Sequence, residues 1–405
     1  MTAVSLATPL PLRCGAVLDN RIAKAAMSER LADPDGAPSE PLSQLYRRWA
    51  DGGAGLLVTG NVMVDRAALG EPGNVVVEDA RHREALSAWA RAATARGAHA
   101  WVQINHPGRQ SPRTLSRQPV APSAVPMEGS AGAFARPRAL GEAEIRGIVD
   151  RFATAAETLK GAGFTGVQVH GAHGYLVNQF LSPRTNKRTD GWGGSPDGRR
   201  RFLLEVVRAV RQAVGPAFPV SVKLNSADFQ RGGFDEAESM AVVEALDAEG
   251  IDLLEISGGT YESAVMFEET LPRADSSRRR EAFFLEYAEK VRERTRVPRL
   301  VTGGFRTADG MRDALASGAA DMIGLARPLA VEPDLPARLL SGAAQAATPV
   351  RLTTGIARLD ALVQAAFYQV QLRRMAEGRE PDVDLSRWCA VVDYLKKRPA
   401  LPRAA

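Results

Sequence analysis

The chain has 405 residues, of which 45% are hydrophobic and 24% charged, enough apolar material to offset chain entropy and to exclude a mainly disordered protein. The formal charge is +5, most of the basic residues are arginine, and acids lie close to the longest basic runs, Arg199–Arg201 and Arg278–Arg280. A nucleic-acid surface would show a longer basic stripe interleaved with aromatics, so no nucleic-acid partner is expected.

Along the chain, short apolar runs alternate with helix-like stretches rich in Ala, Leu, Arg and Glu. The first strand is predicted at Arg21–Ala26 and the second at Gly55–Val62. The third, His99–Asn105, leads into a long segment rich in Pro, Ser, Gly and Ala, Arg109–Leu140. A helix follows over Glu142–Gly161, with apolar residues at Ile145, Ile148, Phe152, Ala155 and Leu159 and a stop at Gly161. The fourth strand is Gly166–His170 and the fifth Val220–Leu224. The helix Glu236–Glu249 stops at Gly250 and feeds the sixth strand, Asp252–Ile256. The seventh is Arg299–Thr302, the helix Ala308–Ser317 stops at Gly318, and the eighth strand is Asp321–Leu325.

Most of these runs lack polar alternation, as strands buried on both faces should. Eight strand–helix units close naturally into an α/β (β/α)8 TIM barrel. An open doubly wound sheet would usually carry a glycine fingerprint after its first strand, where this chain has Met27-Ser28-Glu29. The barrel is expected over residues 1–335. Residues 336–405 are expected to form a C-terminal helical extension, with helices near Gly355–Ala376 and Leu385–Lys397, packed on the barrel or at a homo-oligomer contact.

The two cysteines, Cys14 and Cys389, build no disulfide framework, CxxC pair or cysteine-ligated cluster. No convincing signal peptide opens the chain and no run of about 18 apolar residues occurs, so a cytoplasmic protein without a membrane span is expected.

Catalysis in such a barrel belongs at the C-terminal ends of the strands. Strand four ends in His170-Gly171-Ala172-His173-Gly174-Tyr175, with two of the chain's five histidines three residues apart. In a helical turn they share a face, where two imidazoles would converge on one ligand oxygen and the phenol would deliver a proton. No HExxH occurs, and no metal is expected. Lys223, between Val222 and Leu224, has three readings: a charge beside an electron-rich cofactor ring, a Schiff-base lysine of aldolase type, or a structural ion pair. Gln103 offers donor and acceptor together, which suits a ring with adjacent carbonyl and N–H groups. Thr302-Gly303-Gly304 and Gly324–Pro328 fall where many barrels bind phosphate, and Arg327 would supply a charged contact.

The segment His170–Phe202 (HGAHGYLVNQFLSPRTNKRTDGWGGSPDGRRRF) closely resembles the signature of the Old Yellow Enzyme family of FMN-dependent ene-reductases, also called NADH:flavin oxidoreductases. The likeness extends through Asn20-Arg21-Ile22, Gln103, the HPGR stretch at 106–109, Lys223, Thr302-Gly303-Gly304 and Gly324–Pro328. It implies FMN as cofactor, NAD(P)H as reductant and an α,β-unsaturated carbonyl compound as small-molecule substrate, reduced by a ping-pong mechanism. It implies that Ala26, Met27 and Ser28 border the flavin, that Gly60 approaches the ring and that Gln103 bonds its pyrimidine edge. Lys223 would stand near N1 and O2, and Gly303, Gly304, Ala326 and Arg327 would hold the phosphate. His170 and His173 would bind the substrate carbonyl, and Tyr175 would donate the proton. Ser28 stands where relatives often have Thr or Cys. The cysteine count excludes the iron–sulfur branch of the family. Tyr261 and Phe267 are expected to shape the pocket with the 109–140 segment. A Schiff-base lyase and a flavin-binding protein without turnover remain as alternatives.

Overall fold

The computed structural model describes residues 4–129, 132–259 and 273–396. Eight short strands close on themselves: β1 (Ile22–Lys24), β2 (Leu56–Val58), β3 (His99–Asn105), β4 (Gly166–Gly171), β5 (Val220–Asn225), β6 (Leu253–Ser257), β7 (Arg299–Thr302) and β8 (Met322–Leu325). Each pairs in parallel with the next, and β8 returns to β1 with Ile323 opposite Ile22 and Leu325 opposite Lys24. The result is a (β/α)8 barrel with no open edge.

The connecting helices are α1 (Glu40–Asp51), α2 (Arg83–Ala93), α3 (Glu142–Ala162), α4 (Pro196–Val214), α5 (Glu236–Ala248), α6 (Arg273–Arg294) and α7 (Ala308–Ala316). Their starts follow local chemistry. Ser195 accepts from the Gly198 N–H ahead of Pro196 in α4, and Asp235 accepts from the Glu238 N–H in α5. In α3 the residues Ile145, Ile148, Phe152, Ala155 and Leu159 are the buried stripe, as their spacing predicts. Its stop is Gly163 rather than Gly161. Gly161 lies within the helix with open space around it, whereas Gly163 adopts φ 102°, the left-handed geometry that turns the chain into β4.

The predicted second strand is also broken. After Val58 the backbone leaves the ladder and rejoins β3 at Val62–Met63. Between them lies Gly60, whose N–H donates to Glu29 and contacts the Tyr46 hydroxyl.

Inside the barrel the strand period of two sorts side chains into layers. The lower layer is apolar: Ala23, Leu56, Val58, Trp101, Leu253, Leu300 and Met322, met from below by Leu10, Leu12 and Leu18 of the N-terminal hairpin. Gly166 is required beside it, because a Cβ there would sit 2.5 Å from the Trp101 indole. Two residues further along the strands the layer turns polar, with Gln103, Gln168, Lys223, Glu255 and Thr302. This change marks the functional end.

After β8 come α8 (Ala357–Ala376) and α9 (Arg387–Lys396). Val363, Ala366, Phe367 and Val370 of α8 join Ala390 and Val391 of α9 in a small core that includes Val331 and Leu352. The extension packs on the barrel, with α8 against α1 and the turn Arg327–Ala330. Among the described residues no helix is long and apolar enough to cross a membrane.

Candidate active site at the mouth of the barrel

The floor of the mouth is a hydrogen-bonded polar row. Gln103 Nε2 donates to Gln168 Oε1 at 2.8 Å, and Gln168 Nε2 donates to Glu255 Oε2 at 2.9 Å. Lys223 Nζ pairs with Glu255 Oε1 at 2.9 Å, and Thr302 Oγ1 donates to the same oxygen at 2.8 Å. Gly324 leaves room for Thr302, since a Cβ there would lie 2.0 Å from the hydroxyl oxygen. Of the three readings of Lys223, the ion pair is thus present, yet the pair faces the mouth. Only one of the three ammonium donors has an acceptor among the described residues. The Gln103 carbonyl oxygen likewise accepts from none of them.

Above this floor, β4 delivers His170, and the turn beyond it delivers His173 and Tyr175. The His170 ring lies edge-on to both, with centroids 5.1 Å from His173 and 4.9 Å from Tyr175. The Ala172 N–H points at His170 Nδ1 at 3.4 Å, which leaves the ring proton on Nε2. Burial pushes both imidazoles well below the usual histidine range, and the Lys223 charge, with each other's proximity for His170, adds to it. Both rings are therefore neutral near pH 7, each donating through one nitrogen.

His173 is held in a costly conformation. Its φ is 61°, rare for a residue with a side chain. Three contacts impose it: its N–H donates to Asn225 Oδ1, its carbonyl accepts from Gln110 Nε2 at 3.1 Å, and its Nε2 lies 2.6 Å from Ser257 Oγ. The neighbouring Gly174 N–H is bound by Asn178, which is itself anchored on buried Asp228. The turn that aims the histidines is thus built from β5, β6 and the short helix Leu176–Leu181.

The opposite rim comes from the chain after β1. Ala26 packs on the apolar barrel layer and Met27 on the outer core. The Ser28 hydroxyl lies 2.6 Å from Glu71 Oε1 and 3.1 Å from Asn61 Oδ1, and Asn61 Nδ2 reaches the Tyr175 hydroxyl at 3.4 Å. Gly60 has no room for a side chain, because a Cβ would come within 2.2 Å of the Met27 carbonyl and the Glu29 carboxylate. Beneath this rim Lys24 is fully buried, donating to the Val58 and Ala25 carbonyls and to the Tyr46 hydroxyl. Burial lowers its pKa to about 8, although Glu29 3.7 Å away works the other way.

At the third side, Gly303 and Gly304 have φ of 131° and 83°, so the loop after β7 turns in a way only glycine tolerates easily. Ala326 and Arg327 open the turn after β8. Arg327 Nη1 donates to Gln364 Oε1 of α8 at 2.9 Å. Gln369 of α8 binds the Ser28 carbonyl, and Tyr394 of α9 accepts from Arg30 at 2.6 Å.

The structure therefore brings Gln103, Lys223, His170, His173 and Tyr175 together, with Ala26–Ser28 and Gly60 on one rim and Gly303, Gly304, Ala326 and Arg327 on the loops after β7 and β8. Tyr261 and Phe267 lie outside the described residues. Sequence reasoning missed Gln168, Glu255, Ser257, Asn61 and the Lys24–Glu29–Tyr46 group. Glu255 had a signal: it stands between Leu254 and Ile256 as Lys223 stands between Val222 and Leu224, and the two are direct neighbours in register.

The sequence model of the NADH:flavin oxidoreductase / NADH oxidase family matches residues 5–346. The NADH-dependent flavin oxidoreductase iliE of Hypocrea jecorina is 39% identical over 361 residues, covering 83% of this chain and 89% of that protein. A solved morphinone reductase in complex with tetrahydroNAD superposes with a TM-score of 0.71 at 30% identity, over 85% of this chain and 93% of that one. A 2-naphthoyl-CoA reductase complexed with 2-naphthoyl-CoA superposes with a TM-score of 0.77 at 28% identity. The match covers 84% of this chain but 52% of that protein, so the chain spans about half its length.

Proposed function

The chain belongs to the NADH:flavin oxidoreductase / NADH oxidase family and is an oxidoreductase that uses FMN and NAD(P)H, and from that premise we propose that it reduces the activated C=C bond of α,β-unsaturated carbonyl compounds by a ping-pong mechanism. The observation that carries this reading is the cluster of His170, His173 and Tyr175, within 5.1 Å of one another through His170, above the Gln103–Lys223 floor.

The residues fit FMN on their own chemistry. The ammonium donors of Lys223 and the Gln103 carbonyl that have no partner among the described residues match a ring edge with carbonyl and N–H groups. Gly303, Gly304 and Arg327 suit a phosphate, and Ala26–Ser28 with Gly60 supply a close-packed rim. Bound FMN supplies the means to accept hydride from NAD(P)H and to pass it to the substrate Cβ. The protein's part is position and electrostatics. Neutral His170 and His173 donate hydrogen bonds to the substrate carbonyl oxygen and stabilise the enolate-like charge that develops there. Tyr175, on the same turn, gives its phenolic proton to Cα. With the His173 Nε2 beside Ser257, Nδ1 is the nitrogen left for the substrate.

The ion pair with Glu255 counts against imine chemistry at Lys223, which needs a free amine. The test is anaerobic. The yellow protein should bleach with NADH or NADPH and regain colour with an enone, a maleimide or a nitroalkene. A protein that binds no FMN refutes the reading. A flavin that is reduced yet never reoxidised by any of these acceptors favours a flavoprotein without this turnover.

A further inference from the structure

Glu255 is a fully buried carboxylate at the centre of the floor, and the reaction just described assigns it no task. Its Oε1 accepts from Lys223 and Thr302, and its Oε2 accepts from Gln168. A carboxylate has no hydrogen to give. Every bond leading away from it is therefore polarised in one direction. Gln168 must turn its N–H to Glu255, which leaves its carbonyl for Gln103. Gln103 must spend one N–H on that carbonyl, which leaves its own carbonyl oxygen and a second N–H for a ligand. A ring edge with an N–H between two carbonyls needs that acceptor. The same carboxylate sets a negative charge 2.9 Å from the Lys223 ammonium.

We infer that Glu255 is a positioning residue for the flavin: through Gln168 it dictates which atoms Gln103 presents to the ring, and through Lys223 it tempers the positive charge felt by the ring. The inference rests on the flavin-site reading above. It joins two contacts, made from β3 and β5, under the control of one side chain on β6. The register makes this possible, because Lys223 lies directly opposite Glu255 and Gln103 directly opposite Gln168.

Glu255→Gln keeps the size of the side chain and changes its polarity. Its carbonyl takes over the bonds from Lys223 and Thr302, and its NH2 then faces Gln168. Gln168 has to reverse, and Gln103 after it, so Gln103 offers only N–H groups to the ring. Lys223 is left with its charge uncompensated, which favours the reduced, more negative ring. The experiment compares the FMN affinity of wild type and variant by flavin fluorescence, and the midpoint potential of the bound flavin by anaerobic dye titration. The expected result is FMN binding weakened at least tenfold. The two-electron equilibrium should move about tenfold towards reduced flavin, a rise of about 30 mV. Gln168→Leu cuts the relay and leaves the ion pair, so it should weaken FMN binding without moving the potential. Should Glu255→Gln fold poorly, this second variant still decides. Unchanged FMN affinity in Gln168→Leu overturns the inference, as does an equal shift of potential in both variants or a wild-type potential in Glu255→Gln. Wild-type protein that refuses FMN refutes the reading beneath it instead, which separates the two failures.

Discussion

Tyr175→Phe separates proton delivery from everything else the turn does. The Tyr175 side chain is 4% exposed, and its ring packs edge-on against His170. Phenylalanine keeps that ring, so packing is preserved. The hydroxyl's contact with Asn61 is long, at 3.4 Å, and losing that one contact costs at most about 1 kcal/mol. A melting temperature within about 4 °C of wild type is expected. The chemical cost is larger. A positioned general acid is worth roughly 10²–10⁴-fold, which at about 1.4 kcal/mol per decade is about 3–5 kcal/mol on the protonation step. Anaerobic stopped-flow resolves the two half-reactions. Flavin reduction by NAD(P)H should keep its rate within about twofold, while reoxidation by an enone should slow by roughly two to four decades. Equal slowing of both halves, or unimpaired reoxidation, would refute the proton-donor role.

The remaining expectations address stability and cofactor retention. Burial pushes the His106 pKa down, against the pull of Asp65, so the unfolded chain binds its proton first as pH falls below 6.5; stability present at pH 7 should be lost progressively below that pH, read as a falling urea midpoint. His170 and His173 shift in the same direction and add to the loss. Gly60→Ala forces a methyl within 2.2 Å of the Met27 carbonyl and should cost about 1–3 kcal/mol in urea melts together with loss of FMN; wild-type values for both would show that the rim yields freely. Arg327→Met should weaken FMN by roughly 10- to 100-fold and leave riboflavin affinity unchanged, as removal of a charged hydrogen bond to phosphate requires. Parallel losses for both ligands would place Arg327 elsewhere in the site's economy.

The eight strands are legible because both faces of a barrel strand are buried, which writes most of them as short, mainly apolar runs. The polar layer is legible only in part. Lys223 stands out because an ammonium is foreign to such a run, but its partner lies on the next strand, and pairing across strands depends on register. Glu255 shows the same anomaly and becomes meaningful only when β5 and β6 are aligned. Gly161 and Gly163 look alike as letters, and only the one that must adopt a left-handed backbone ends the helix. The aim of His173 is hidden for another reason. Its positive φ is imposed by Asn225, Gln110 and Ser257, residues far apart in the chain. For α8 and α9 the sequence leaves two options, the barrel or an oligomer contact, because a helical pattern says that a helix forms but not on what it packs; the contacts with α1 place α8 on the barrel.

The links from the extension back to the rim also bear on how the protein is made. Gln369 binds the carbonyl of a residue 341 positions earlier, and Tyr394 holds an arginine 364 positions earlier. Synthesis proceeds from the N-terminus, so a nascent chain that has just released β8 owns all eight barrel strands but lacks the clamp on Ser28 and the brace on Arg327. Maturation of the flavoprotein is therefore expected to be late and vectorial. Ribosome-bound chains arrested before α8 should fail to quench FMN fluorescence, and chains arrested after α9 has cleared the exit tunnel should succeed. Early quenching would show that the barrel alone suffices for loading.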